Sequence, residues 1–157
     1  MKITYKGDYA LKALLQLALN HHDEPSDQAG VMSITEIARR GDMPVKFLEQ
    51  ILLALRRGGF VKSRRGASGG FLLARLPGEI TIGEVLRFIE GPVEPIACVG
   101  KDSYKGCRDV SACIFRDILK EVRDAISIVV DTVTFEELVM RYKERSLRTQ
   151  PACEYSI

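Results

Sequence analysis

The chain has 157 residues, 46% hydrophobic and 28% charged, which is typical of one globular domain with a sizeable core. This composition excludes a disordered or collagen-like chain, and no apolar run approaches the roughly 20 residues of a membrane span. The net charge of +2 is unevenly spread: residues 44–75 carry seven basic side chains and one acid, hence +6, and the rest carries −4. A stretch this basic is expected where a surface meets phosphate backbones, although a solvated basic face has the same composition.

The N-terminal sequence and the number of cysteines bear on the cellular compartment of the protein. The opening MKITYKGDYAL lacks the apolar stretch of a secretory signal, so we expect a cytoplasmic protein without membrane attachment. Four cysteines then lie in a reducing compartment, which favours metal ligands, redox thiols or plain buried residues over a disulfide framework.

Two helices are predicted before residue 42. Leucines and alanines at helical spacing predict an amphipathic helix over about residues 8–20. A capping box at Ser33 and Glu36 predicts a second, short helix that ends near Gly41. In such a box the serine hydroxyl accepts from a backbone N–H and the glutamate reaches back to the cap.

A third helix follows a tight turn. Pro44 suits its first position, and Gly58 and Gly59 mark its end. Its predicted inward face consists of Val45, Leu48, Ile51, Leu52 and Leu55. This leaves a largely polar outward face of Lys46, Glu49, Gln50, Leu53, Arg56 and Arg57.

The outward face carries groups that can read DNA. Glutamate accepts from the cytosine amino group, glutamine pairs with adenine, and lysine donates to guanine or phosphate. A lone acid on a basic surface is costly near phosphates, which favours a base-reading role for Glu49. The alternative is an ordinary surface glutamate paired with a basic neighbour.

A β-hairpin with a basic, glycine-rich tip is predicted next. Residues 60–63 and 71–74 have strand character, and residues 64–70 between them read RRGASGG. Three helices followed by such a hairpin predict a winged helix-turn-helix domain. Arg64 or Arg65 is then placed to enter a narrow minor groove, with a solvated turn as the alternative.

The second half is predicted to hold a loop and a long helix. A capping box at Thr81 opens a helix to about residue 90, and residues 92–110 have loop character. From about Ser111 an apolar seam persists for some 20 residues, which needs a partner chain to cover it, so we expect a dimer. A third capping box, Thr134 with Glu137, opens a last helix to about residue 145.

These elements define the predicted organisation, a mainly α fold with a small β-hairpin. Residues 1–91 form the winged helix-turn-helix domain and residues 92–113 a cysteine-rich loop. Residues 114–147 hold the dimerisation helix and the final helix, and residues 148–157 form a loose tail.

Cys98, Cys107 and Cys113 are the candidate metal ligands. Eight residues separate the first pair and five the second, so the tight pairs of structural zinc sites are missing. A longer loop of spaced thiolates can wrap an iron–sulfur cluster. A thiol redox switch, zinc and unligated cysteines remain alternatives.

Other functional motifs are weak. His21 and His22 follow the predicted first helix and are interpreted as loop residues rather than ligands. No nucleophile–base motif, Walker loop or dinucleotide fingerprint is present, so an enzyme is not expected. A small electron-transfer protein fits poorly, because it needs neither a recognition helix nor a wing.

Several segments together resemble the IscR, NsrR and CymR group of bacterial winged-helix transcriptional regulators. They are MKITYKGDYALKAL, FLEQILLALRRGGFVKSRRGASGGFLLAR, ITIGEVLRFIEG, the three-cysteine loop and TFEELV. The resemblance implies a homodimer on palindromic promoter DNA, with Lys46, Glu49 and Gln50 in the major groove and Arg65 at the minor groove. It further implies a 2Fe–2S or 4Fe–4S cluster on the loop cysteines that senses iron–sulfur status, nitric oxide or oxidants.

Two departures limit this transfer. IscR-type proteins place a histidine ligand three residues after the last loop cysteine, where this chain has Arg116, and their first cysteine gap is shorter. The resemblance to NsrR-type proteins, in which an aspartate of the other subunit completes the site, makes Asp8 the first candidate for the fourth ligand. Cys153 and an exogenous ligand are the next candidates for this fourth ligand.

The sequence thus predicts a DNA-binding repressor or dual regulator controlled by an iron–sulfur cluster. The rival hypothesis is a cluster-free regulator controlled by thiol redox or by a protein partner, such as a cysteine-metabolism enzyme, as in CymR-like members.

Overall fold

The structure is a computed structural model, and it describes residues 3–23, 30–66, 68–100, 106–107 and 111–149. Short 3-10 turns lie at Pro77–Glu79 and Ala97–Val99. The other elements are, in chain order, α1 (Tyr5–Asp23), α2 (Ile34–Gly41), α3 (Val45–Arg57), β1 (Val61–Arg64), β2 (Gly70–Leu73), α4 (Ile82–Glu90), α5 (Phe115–Thr132) and α6 (Phe135–Thr149). Cys153 and the predicted tail beyond residue 149 lie outside the described residues.

One apolar core joins α1, α2, α3, α4 and α6. Leu14 of α1 and Leu52 of α3 are fully buried, and Phe135 and Val139 of α6 belong to the same cluster. The predicted inward face of α3 is confirmed at four positions, because Leu48, Ile51, Leu52 and Leu55 are buried. Val45, the exception, begins the helix and is 38% exposed.

Helix α1 extends three residues beyond the prediction at each end. At its start, Glu90 of α4 accepts hydrogen bonds from the backbone N–H groups of Thr4 and Gly7, which satisfies donors that a helix N-terminus otherwise leaves free. At its end, His21 and His22 lie in the last turn, so their interpretation as loop residues was wrong. The His22 ring nitrogen Nδ1 lies 2.9 Å from Nζ of Lys143 on α6.

Each of the three predicted capping boxes forms only its hydroxyl half. The hydroxyls accept from the backbone N–H three residues later, at 3.3 Å for Ser33, 3.2 Å for Thr81 and 3.3 Å for Thr134. The carboxylates bond instead to arginines, Glu36 to Arg39 and Arg40, Glu84 to Arg75, and Glu137 to Arg141. A guanidinium offers the carboxylate a charged donor, whereas the return bond would use a neutral backbone N–H.

The wing is a two-stranded antiparallel hairpin. Val61 pairs with Leu73, and Arg64 pairs with Gly70 at the tip. Met32, just before α2, exchanges two backbone hydrogen bonds with Phe71 and so fastens the wing to the helices. A Cβ at Gly70 would collide with the Met32 carbonyl oxygen, so this close approach requires glycine.

Helix α5 differs from the other helices because none of its residues is buried. Arg87 of α4 holds it through two hydrogen bonds to the Asp131 carboxylate. None of the described helices combines the length and the apolar content needed to cross a membrane.

Candidate DNA interface and cysteine loop

The outward face of α3 is open to solvent. Its predicted DNA-contacting residues Lys46, Glu49, Gln50, Arg56 and Arg57 are all exposed. The helix is held from behind by its buried leucines and isoleucine, so its polar side chains project from a rigid support. The arrangement suits insertion into a major groove, which admits one α-helix.

The wing continues this basic surface. Arg56 Nη1 donates to Ser63 Oγ at 3.3 Å, which joins the end of α3 to strand β1. At the tip, Arg64 Nη2 donates to the Ser68 carbonyl at 3.3 Å, and Arg65 is exposed. Gly66 adopts φ +118°, a backbone conformation in which a residue with a side chain would be strained. The wing therefore presents Arg65 from a turn closed by its neighbour.

Arg75 belongs to the basic stretch by sequence but not to this surface. Its Nη2 donates to Glu84 Oε1 at 2.7 Å, and its guanidinium lies 5.4 Å from the Phe60 ring centroid. These contacts fasten the segment after β2 to α4 and to Phe60. One of the seven basic residues in the stretch thus has a structural role.

Phe47 is a feature that the sequence analysis missed. It is 65% exposed in the first turn of the recognition helix α3. With Tyr5, Tyr9, Gln50 and other residues it lines an apolar cavity of about 540 Å³ between α1 and α3. The signal was an aromatic residue beside an otherwise polar face, but only the packing of α1 against α3 shows what lies opposite.

The three loop cysteines occupy different settings. Cys98 lies half-buried in the 3-10 turn Ala97–Val99, Cys107 is exposed, and Cys113 is half-buried just before α5. Arg123 of α5 donates to the Val99 carbonyl at 2.6 Å and so holds the Cys98 turn. Within the described ranges, no three His, Cys, Asp or Glu residues converge as metal ligands in one chain.

Asp8 lies in the first turn of α1. Its carboxylate pairs with Lys12 Nζ at 2.8 Å, and both side chains are nearly half exposed. The hydrogen bond to Asp8 raises the pKa of Lys12. The aspartate therefore faces solvent from α1, where it is accessible to a group outside its own chain.

Glu90 links the start of α1 to the start of the cysteine loop. Its Oε1 accepts from the Thr4 hydroxyl at 2.6 Å and from the backbone N–H groups of Thr4 and Gly7, both at 3.0 Å. These bonds, the hydroxyl first, lower the pKa of Glu90. Since the loop leaves α4 directly after Glu90, one side chain connects the loop to the helix that carries Asp8.

Helix α5 and Ile114 directly before it expose a run of large apolar side chains in the single chain. The exposed fractions are 81% for Ile114, 68% for Phe115, 59% for Ile118, 41% for Val122, 66% for Ile128 and 61% for Val129. Singly exposed apolar residues are normal, but a run along one helix marks an interaction surface.

Fold and surface together define a winged-helix DNA-binding transcriptional regulator. The family model Rrf2, described as an iron-dependent transcriptional regulator, matches residues 3–141, and the chain belongs to this family. It is 40% identical over 140 residues to an rrf2-like HTH-type transcriptional regulator of Rhodobacter capsulatus, covering 87% of this chain and 91% of that relative. It is 31% identical to IscR of Citrobacter koseri, over 100% of this chain and 99% of IscR.

Solved structures support the same assignment. CymR, the global cysteine regulator of B. subtilis, superposes with a TM-score of 0.75 at 33% identity, covering 90% of this chain and 98% of CymR. IscR of T. potens superposes with a TM-score of 0.72 at 30% identity, covering 99% of this chain and 95% of that structure. These relatives are named as regulators, and this protein is a transcriptional regulator, not an enzyme.

Proposed function

We propose that this protein is a homodimeric regulator whose binding to promoter DNA is controlled by one iron–sulfur cluster in each subunit. The observation that carries the proposal is the position of Cys98, Cys107 and Cys113 between the winged helix and the exposed helix α5. A change in this loop acts on both the DNA-binding half and the predicted dimer contact.

The donor chemistry of the residues present fits such a group, although the described side chains do not converge in the single chain. Three cysteine thiolates are the soft donors that iron–sulfur clusters take. One turn beyond Cys113, Arg116 has a buried Nε with no hydrogen-bond partner among the described residues, which suits an anionic group at this place. Cys98, Cys107 and Cys113 would hold the cluster, with Asp8 of the partner subunit as the proposed fourth ligand and Cys153 or an exogenous ligand behind it.

When bound, the cluster supplies one-electron redox chemistry and reactivity toward nitric oxide and oxygen. The chain supplies the connection to DNA. Arg123 holds the Cys98 turn against α5, and Glu90 ties the start of the loop to α1, which packs against α3. Ordering the loop thereby sets the distance between two recognition helices, and half-site spacing tolerates little error. A coupling of about 1–3 kcal/mol changes affinity by roughly 5–150-fold.

On DNA, α3 is proposed to lie in the major groove. Lys46, Glu49 and Gln50 read bases there, and Arg56, Arg57 and Arg64 contact phosphates while Arg65 reaches the minor groove. With about eight phosphate contacts per dimer, the logarithm of the affinity should fall with the logarithm of salt concentration at a slope near −7. A flat salt response would exclude this surface as the contact.

Anaerobic purification followed by absorbance, iron and sulfide analysis tests the cluster. We expect a coloured protein that Cys98→Ala, Cys107→Ala and Cys113→Ala each bleach, and colourless protein without iron or sulfide would refute the proposal. Asp8→Ala and Cys153→Ala then separate the candidates for the fourth ligand. The substitution that destabilises the cluster while the dimer stays intact identifies the fourth ligand.

A cluster-free regulator is the second candidate function. Exposure of the Cys107 thiol and the likeness to CymR favour it, because an exposed thiol is open to oxidation or to a partner protein. In that case iron-free protein changes its DNA affinity on thiol oxidation or on adding a cysteine-metabolism enzyme. The Cys107→Ala variant separates the two routes, since it abolishes only the response to oxidants.

A further inference from the structure

Arg116 stands out among the half-buried arginines. Its Nε is the one buried side-chain nitrogen or oxygen without a hydrogen-bond partner in the part of the chain that the structure describes. Its backbone N–H donates to the Cys113 carbonyl at 3.2 Å, which places it in the first turn of α5, directly after the last loop cysteine. Buried polar groups in native proteins are nearly always paired, so this donor needs an acceptor.

Other half-buried arginines have hydrogen-bond acceptors within the chain. Arg123, two turns along α5, bonds to the Val99 carbonyl and to Asp124, and Arg75 bonds to Glu84. The acid next to Arg116, Asp117, instead pairs with Lys120 Nζ at 3.2 Å. Since no described residue accepts from Nε, this donor is open to an acceptor that is not one of them.

We propose that Arg116 donates from its guanidinium to the sulfur atoms of the cluster, and so raises the reduction potential of the cluster. The inference rests on the proposed function, since it needs a cluster on Cys113. A guanidinium keeps its charge at all relevant pH values and carries five N–H donors, which suits it to several sulfur acceptors at once. Arg116 is thus a positioning and tuning residue, and not a ligand.

The physical consequence concerns the charge of the cluster. One-electron reduction adds one negative charge to the cluster and breaks no bond, with the electron supplied by dithionite in a titration. Hydrogen bonds to the sulfurs and a nearby positive charge stabilise this reduced form, so they raise the potential. Removing the guanidinium therefore lowers the reduction potential, since the reduced cluster loses this stabilisation.

A redox titration of the anaerobically purified dimer, followed by absorbance and electron paramagnetic resonance, tests this. Arg116→Gln should keep iron and sulfide but shift the midpoint potential downward, and Arg116→Lys should shift it less. Lys120→Gln is the matched control, because it removes one positive charge from the same helix at a half-exposed position. We expect it to leave the potential unchanged.

Equal potentials in Arg116→Gln and wild type, with the cluster intact in both, would overturn the inference and leave the proposed function standing. A wild type without iron and sulfide would refute both. If Arg116→Gln loses its cluster, the Arg116→Lys titration decides, since an unshifted potential there overturns the inference.

A measurement on the cluster-free protein separates tuning from a structural role. Arg116→Met removes a buried donor that has no protein acceptor, so it should leave the melting temperature of cluster-free protein unchanged or higher. It should lower the melting temperature of the cluster-bound form. A lower melting temperature in the cluster-free protein would show that Nε is bonded within the chain, and would contradict the inference.

Discussion

The winged helix and helix α5 bury their apolar side chains to very different extents. In α3, Leu48, Ile51, Leu52 and Leu55 are at most 3% exposed, whereas α5 has no buried residue and shows Ile118 and Val129 at 59% and 61%. Both helices are amphipathic, so the difference lies in what each helix packs against. The apolar face of α3 is covered within its own chain, whereas that of α5 is left exposed in the single chain.

The same contrast holds for polar groups. Around the wing, arginines find acceptors in their own chain, as Arg56 does in Ser63 and Arg64 in Ser68. At the start of α5, Arg116 Nε finds none among the described residues. The winged helix, in which these arginines are bonded within the chain, therefore has a fixed surface. The start of α5 has a donor open to a bound group, so it is suited to respond to the presence or loss of that group.

The largest expected effect comes from charge on the exposed face of α5. The double variant Ile118→Asp, Val129→Asp should convert the proposed dimer to monomers, because burying each such side chain is worth about 1.5–3 kcal/mol and the proposed interface would bury two from each subunit. Light scattering should show the dissociation constant rising by about 10⁴-fold or more, since each 1.4 kcal/mol is a factor of about ten.

The fold of each monomer should survive this change, because neither side chain is buried in the chain. Circular dichroism checks that. Glu121→Ala, at an exposed polar position of α5, is the control and should stay dimeric. A double variant that remains a dimer would contradict the contrast between the two helices.

A core truncation tests the other side of the comparison. Leu52 is fully buried, so Leu52→Ala should lower the free energy of unfolding by about 2–5 kcal/mol. Ile118→Ala removes similar apolar volume from α5 and should act only through dimerisation, so its cost should depend on protein concentration. Thermal unfolding at two concentrations separates the two effects, and a concentration-independent loss in Ile118→Ala would show that α5 is covered within its own chain.

The acid on the recognition helix gives a smaller, position-specific effect. Glu49→Ala should relax base preference by about 1–3 kcal/mol at one position in each half-site, because a carboxylate accepts from cytosine. Binding to a panel of single-base operator variants measures this. Weakening by the same factor on every sequence would instead show a structural role for Glu49.

The smallest expected effect tests the link between the two regions. Glu90→Gln keeps the shape but removes the charge that accepts three hydrogen bonds from Thr4 and Gly7, at a cost of about 1–2 kcal/mol. The pKa of Glu90 is lowered in the folded protein. Its contribution is therefore fully present above the ordinary value of 4.5 and is lost as the pH falls through the folded pKa.

The difference in stability between wild type and Glu90→Gln should accordingly shrink as the pH falls below about 4.5. Glu144→Gln, at an exposed position of α6, serves as the control. Glu90→Gln should also weaken the response of DNA binding to loss of the cluster. An unchanged response would exclude Glu90 as the connection.

Local pattern was sufficient for most of the DNA-binding half. The face of α3, the two strands of the wing and the hydroxyl caps at Ser33, Thr81 and Thr134 follow from spacings of two to four residues. The capping glutamates were mispredicted because arginines compete for them. In the case of Glu84 the competitor is Arg75, nine residues earlier.

What the sequence determined by itself is the order of elements, the basic surface, the spacing of three cysteines and the surplus apolar face of α5, because each depends on neighbours within one or two helical turns. Only the tertiary structure placed Phe47 opposite Tyr5 and Tyr9, bound Arg75 to Glu84 and joined Glu90 to Thr4. It also left Arg116 Nε without a partner in the described part of the chain. These pairings join distant elements, and such contacts depend on how whole helices pack, which no local periodicity encodes.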